Sequence, residues 1–154
     1  MISVFDEWLI NDFGEIFVQI FEQCVSGWIG QPPKLCVFSE TCGRVVVMEY
    51  NGDVYSCDHF VYPEYKQGNI KETRLEELIN SAQQIEFGNN KRDKLPEKCL
   101  NCDNLFICHG GCPKNRLEEI EKGKKLNYLC EGYRQFFNYI DPYMEEIATR
   151  IKKR

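Results

Sequence analysis

Apolar positions come in short bursts along this chain, and their spacing shifts from helical to alternating and back. Ile2, Phe5, Trp8 and Leu9 recur at helical intervals and predict a short amphipathic helix over Ile2 to Asn11. Asp12-Phe13-Gly14 breaks it. The run IFVQIF, Ile16 to Phe21, is apolar and β-prone and predicts a strand. Gly30 and Pro32-Pro33 then open a loop. Two strand-like runs follow, RVVVMEY (Arg44 to Tyr50) and DVYSC (Asp53 to Cys57), joined by Asn51-Gly52. Both joining residues tolerate positive φ, so the pattern predicts a β-hairpin. Phe60 to Gly68 reads as a Tyr-rich loop, Leu75 to Phe87 as a helix with Leu75, Leu78, Ile79 and Ile85 apolar, and Asn89 to Leu95 as a polar link. Tyr133, Phe136, Phe137 and Ile140 share one face of a helix over Cys130 to Ile140. Asp141-Pro142 resembles a cap followed by proline at the first helical position, which predicts a separate last helix running into the basic tail IKKR. Cations there suit the helix dipole.

Composition narrows the class. A chain of 154 residues suits one compact domain or one unit of a larger enzyme. A net charge of −5 argues against nucleic acid or anionic membranes as partners. No apolar run approaches the roughly 20 residues that span a bilayer. The start, MISVFDEWLINDF, has no basic region and does not read as a secretory signal, so the expected location is the cytoplasm. Nine cysteines in a reducing compartment disfavour disulfides, and the odd count leaves an orphan. Thiolates that hold a cofactor are the better reading.

The cysteines form two groups. Cys36, Cys42 and Cys57 surround the predicted hairpin, where Cys42 and Cys57 can face one another across its open end. Cys99, Cys102, Cys108 and Cys112 are spaced C-x2-C-x5-C-x3-C and followed by proline, with Cys130 further on and Cys24 apart. A C-x2-C pair alone fits zinc. The ending C-x3-C-P is instead ferredoxin-like, where the final cysteine serves the other cluster. If Cys112 crosses over in this way, the sets become Cys36, Cys42, Cys57, Cys112 and Cys99, Cys102, Cys108, Cys130. Each then has the four thiolates of a [4Fe–4S] site. Two zinc ions held by four cysteines each satisfy the same count.

These residues carry a resemblance. C-x9-G-x4-C (Cys42, Gly52, Cys57), the C-x2-C-x5-C-x3-C run and the distant Cys130 resemble the signature of SPASM domains, the C-terminal extensions of radical S-adenosylmethionine enzymes that modify peptides and proteins. NGDVYSCDHFVYPEYKQGNI, CVFSETCG and LNYLCEGYRQFFNYIDPYM are similar to anaerobic sulfatase-maturating enzymes. The resemblance implies an α+β SPASM-type fold with a β-hairpin, short helices and metal-organised loops. Ile2 to Gly30 would be the last elements of a radical enzyme's barrel, and residues 31–154 a domain with two auxiliary [4Fe–4S] clusters. It also implies a role in oxidising a sulfatase Cys or Ser to Cα-formylglycine, through electron transfer and substrate positioning. Cys36, Cys42, Cys57 and Cys112 would hold the first cluster, and Cys99, Cys102, Cys108 and Cys130 the second. Asp58 matches the family's proposed general base.

The barrel's C-x3-C-x2-C is absent from this sequence, and the stretch before Cys36 is too short for a barrel. The chain is therefore expected to be an excised piece, the product of a truncated gene or a separate subunit, and not to cleave S-adenosylmethionine alone. The implied partners are that barrel, in cis or in trans, a sulfatase polypeptide, and a flavodoxin or ferredoxin. Three other readings stay open: a standalone iron–sulfur electron carrier, a sister radical enzyme making thioether cross-links in peptides, and a zinc-held binding module.

Other residues read more plainly. His59 is expected to be a packed or hydrogen-bonded loop histidine, and His109 to face solvent or a cluster sulfur. Gly110 and Gly111 would let backbone amides approach a cluster. Phe60, Tyr62 and Tyr65 suit either a peptide groove or packing. The aromatic stripe from Tyr133 to Tyr143 reads as core, and Cys24 as a buried thiol. With little regular core expected around them, the clusters should supply much of the stability.

Overall fold

The computed structural model describes residues 1–153; Arg154, the last residue of the basic tail, lies outside the described residues. Helix α1 (Ile2–Glu7) continues as a π-helical turn, Trp8–Asp12, and buries Phe5 and Trp8. The Trp8 indole N–H donates to the Ile16 carbonyl at 2.9 Å, which folds the following loop back on the helix.

Helix α2 spans Gln19–Trp28, where a strand over Ile16 to Phe21 was expected. Tertiary packing overrides β-propensity here. Phe21, Cys24, Val25 and Trp28 fall on one helical face, with Phe21 and Cys24 fully buried, while Ile16 and Phe17 are left exposed. That face packs on the last helix, α7 (Cys130–Lys152).

The predicted hairpin forms with shorter strands, β1 (Val47–Met48) and β2 (Asp53–Tyr55), in antiparallel register with Val47 opposite Tyr55. Its turn is closed by Glu49 N–H to Asp53 O at 2.8 Å and Gly52 N–H to Glu49 O at 2.9 Å. A third strand, β3 (Lys66–Asn69), pairs with β2 inside the segment read as a loop. KQGN has no strand preference of its own. Its pairing is held by side chains: Lys66 Nζ lies 2.6 Å from Asp53, and Asn69 Nδ2 donates to the same carboxylate at 2.9 Å.

The helix expected over Leu75 to Phe87 is two helices, α3 (Leu75–Ile79) and α4 (Ala82–Asp93). Ser81 caps α4, its hydroxyl accepting from Gln84 N–H at 3.0 Å. Helix α4 runs through the expected polar link because its buried stripe is polar: Gln84, Gly88 and Lys91 lie on one face. Helices α5 (Glu97–Leu100) and α6 (Leu105–Cys108) carry the cysteine run. A second hairpin, β4 (Arg116–Glu121) and β5 (Lys124–Asn127), follows where no element was expected; Lys122-Gly123 make its turn.

Helix α7 is continuous over Cys130–Lys152, so Asp141-Pro142 does not divide it. Proline inside a helix costs about 3 kcal/mol. The offset is visible: Phe136, Phe137, Ile140, Met144, Ile147 and Ala148 form one buried stripe that crosses the proline. Asp141 is not a cap; its carboxylate accepts from the Trp28 indole at 2.8 Å. Together α1, α2 and α7 bury an aromatic core, with Phe5 edge-on to Phe21 and Phe136. The regular core is thus larger than the sequence suggested, and the cysteine loops sit on top of it. Tyr139 and Tyr143 leave the stripe and are partly exposed. The two small antiparallel sheets and the helical layer make the fold α+β.

Candidate metal centre

Eight cysteines gather in two neighbourhoods. Cys36 stands on a 3-10 turn, Cys36–Phe38, and Cys42 on the loop that follows. Cys57 lies two residues beyond β2, and its carbonyl accepts from Phe60 N–H at 2.9 Å. Cys112 precedes Pro113. Cys42 is pinned to α4 by its N–H to Gly88 O at 3.1 Å. A Cβ at residue 88 would lie 2.5 Å from the Cys42 carbonyl oxygen, so only glycine lets the loop come this close. Burial pushes the Cys42 thiol up; the nearby Lys91 charge opposes this, and Cys112 and Cys36 add to it. Burial likewise pushes Cys57 up to about 12, with a smaller contribution from Cys42.

The other neighbourhood is formed by α5, α6 and the start of α7. Cys99, Cys102, Cys108 and Cys130 all line one cavity of about 270 Å³, with Asn104 and Phe137 on its walls. Burial pushes Cys108 up to about 11, and the Gly110 N–H directed at its sulfur pulls it back. Cys130 opens a 23-residue helix, whose dipole favours a thiolate, while burial pushes its thiol up. Among the described residues no three His, Cys, Asp or Glu side chains converge as one metal ion would require. The four thiols of this group line one cavity, a donor set that fits an iron–sulfur group.

The segment Cys108-His109-Gly110-Gly111-Cys112 links the neighbourhoods. His109, Gly110 and Gly111 all have positive φ, at 45°, 71° and 62°. A side chain at Gly110 would meet Leu95 and the Arg116 guanidinium. The three carbonyls turn toward Arg116, which also donates to Lys91 O at 2.7 Å. Lys91, only 1% exposed, donates to Cys36 O at 2.6 Å and Val37 O at 3.1 Å. Burial lowers its pKa to about 8, and Arg116 contributes in the same direction.

Asp58 is exposed beside Cys57. Its Oδ1 accepts from the Cys57 thiol at 3.1 Å and from His59 N–H at 3.0 Å, and the thiol contact comes first in holding its carboxyl below the usual range. His59 Nδ1 lies 3.8 Å from Cys112 Sγ, so this loop histidine touches a thiol. The His109 ring lines a surface groove with Phe106 and Glu40. Phe60, Tyr65 and Phe87 make an aromatic cluster near Lys114, which stacks over Tyr62. Cys24 is fully buried away from both groups, its thiol pushed up to about 12 by burial.

Sequence reading missed Lys91 and Arg116. A lysine at the helical interval from Gln84 and Gly88 was the available signal, but neither neighbour is apolar, so the stripe did not register.

Comparison with known proteins agrees with the geometry. Residues 36–103 match SPASM, an iron–sulfur cluster-binding domain. The serine-type anaerobic sulfatase-maturating enzyme of Bacteroides thetaiotaomicron is 49% identical over 150 residues, covering 97% of this chain and 36% of that protein. The cysteine-type enzyme of Clostridium perfringens strain 13 is 29% identical over 153 residues, covering 97% of this chain and 41% of its own length. The solved structure of native anSMEcpe with bound AdoMet and Kp18Cys peptide superposes with a TM-score of 0.82 at 30% identity, covering 96% of this chain and 41% of that one. The chain thus spans well under half the length of these relatives. No described helix is long and apolar enough to cross a membrane. Residues 36–103 thus match an iron–sulfur cluster-binding domain of the SPASM type, and across nearly its whole length the chain is similar to a part of anaerobic sulfatase-maturating enzymes.

Proposed function

We propose that this chain is the auxiliary-cluster part of an anaerobic sulfatase-maturating enzyme and holds two [4Fe–4S] clusters. Cys36, Cys42, Cys57 and Cys112 would bind the first, and Cys99, Cys102, Cys108 and Cys130 the second. The observation that carries the reading is the cavity ringed by all four thiols of the second set. The first set is supported by Cys42, which lies close enough to Cys36 and Cys112 to feel their charges and in turn acts on Cys57. Ile2 to Gly30 would continue a radical-forming barrel that binds S-adenosylmethionine, and a flavodoxin or ferredoxin would exchange electrons with the assembled enzyme.

The substrate is a Cys or Ser side chain of a sulfatase polypeptide, oxidised toward Cα-formylglycine. Removing two hydrogens from its CH2–XH group means loss of a hydrogen atom, a proton and an electron. The barrel and its S-adenosylmethionine would supply the radical that accepts the hydrogen atom. Asp58, exposed and one residue from Cys57, takes the proton. When bound, the clusters supply the electron acceptor. His59, 3.9 Å from the Asp58 carboxylate, steadies that base.

Two measurements test this. Protein purified without oxygen should carry about eight iron and eight sulfide per chain, with a brown colour. Two zinc and no sulfide would overturn it. In an assembly with the barrel, Asp58→Asn should leave the iron content unchanged and abolish peptide oxidation; an active variant would remove Asp58 from the proton step.

A further inference from the structure

Two cations are buried between the thiol groups of an acidic protein. Arg116 is 8% exposed and Lys91 1% exposed. Among the described residues neither pairs with a carboxylate; every partner found is a backbone carbonyl. Burying a charge without a counter-charge is costly. A negative group must therefore face them in the working protein.

The position of Arg116 says which. Its guanidinium donates to His109 O at 3.1 Å, Gly110 O at 3.2 Å and, more weakly, Gly111 O at 3.4 Å. Those are the three residues between Cys108 of one set and Cys112 of the other. Its fourth acceptor is the carbonyl of Lys91, whose ammonium caps Cys36. Arg116 lies near thiols of both sets, Cys99 and Cys108 from one and Cys42 and Cys112 from the other, whereas the thiols that act most on Lys91, Cys42, Cys36 and Cys112, all belong to the first set. Arginine stays charged in any such site.

We propose that Arg116 is the shared counter-cation of both metal sites, a positioning residue that clamps the crossover loop and raises the reduction potential of both clusters, with Lys91 acting on the first alone. The inference rests on the reading that both thiol sets hold iron–sulfur clusters. A cluster gains negative charge on reduction, and a fixed cation in a low-dielectric interior favours that state.

The test is a redox titration followed by electron paramagnetic resonance on the anaerobically loaded chain. The two signals are assigned with Cys57→Ala and Cys130→Ala variants. Arg116→Gln should shift both midpoints negative, Arg116→Lys should hold them near wild type, and Lys91→Met should shift only the first. Unmoved potentials in Arg116→Gln, or a shift confined to one cluster, overturn the proposal. If Arg116→Gln fails to load, Arg116→Lys decides: loading with both potentials held supports the shared charge, and failure assigns Arg116 to structure alone and overturns it. A wild-type chain that does not load eight iron sinks the cluster reading instead, which separates the two failures.

Discussion

Gly88 offers a test whose sign is informative. It lies in the interior of α4, where glycine ordinarily costs about 1 kcal/mol relative to alanine. At a solvent-facing site Gly88→Ala would therefore stabilise the protein by that amount. Here the added Cβ would stand 2.5 Å from the Cys42 carbonyl oxygen, and a backbone atom cannot swing away. Overpacking of this kind costs about 1–3 kcal/mol. Displacing the loop also weakens the Cys42 N–H to Gly88 O bond, worth about 1 kcal/mol. Subtracting the propensity gain leaves a net loss of about 1–3 kcal/mol. The loss falls on Cys42, so the first site should suffer before the second. Urea denaturation and iron analysis, performed anaerobically on wild type and variant, read both effects. A destabilised variant retaining about four of eight iron is the expected outcome. A variant stabilised by about 1 kcal/mol with full iron would show that the close approach of α4 and the Cys42 loop does not exist in solution.

Other perturbations address the layer beneath the loops. Phe137 is fully buried, stacks on Tyr133 and also walls the second thiol cavity; Phe137→Ala should cost about 3–5 kcal/mol in denaturant titrations, and a cost under about 1 kcal/mol would refute the packing. Cys24 has a folded pKa of about 12 against an ordinary 9.0, so its neutral thiol stabilises the fold below pH 9 and that contribution is lost as pH rises toward 12. Wild type should therefore lose about 1.4 kcal/mol per pH unit above 9 relative to Cys24→Ala, and parallel stability curves would show that the thiol is not buried. Chelating the iron anaerobically should strip hydrogen-exchange protection from residues 36–57 and 99–112 while α1, α2 and α7 keep theirs; uniform loss would mean that the aromatic core cannot stand without metal.

Much of the chemistry was legible in one dimension because it depends on residue type and spacing. The first three thiols of C-x2-C-x5-C-x3-C need only a short segment to line one cavity, and Asn51-Gly52 needs only its own φ preference to turn the chain. The α+β class and the match to the SPASM iron–sulfur domain followed from those local features. Where a partner element decides the outcome, local pattern failed. IFVQIF is intrinsically β-prone, yet α2 forms because a helix lays Phe21, Cys24 and Val25 against α7. Pro142 signals a break, yet the apolar stripe on either side binds one surface and keeps α7 whole. KQGN becomes a strand only because β2 presents an open edge and Asp53. The buried cations were the least legible of all. No apolar neighbour marks Lys91 or Arg116 as interior, since the groups that hold them are backbone carbonyls, some brought in by the fold from distant segments.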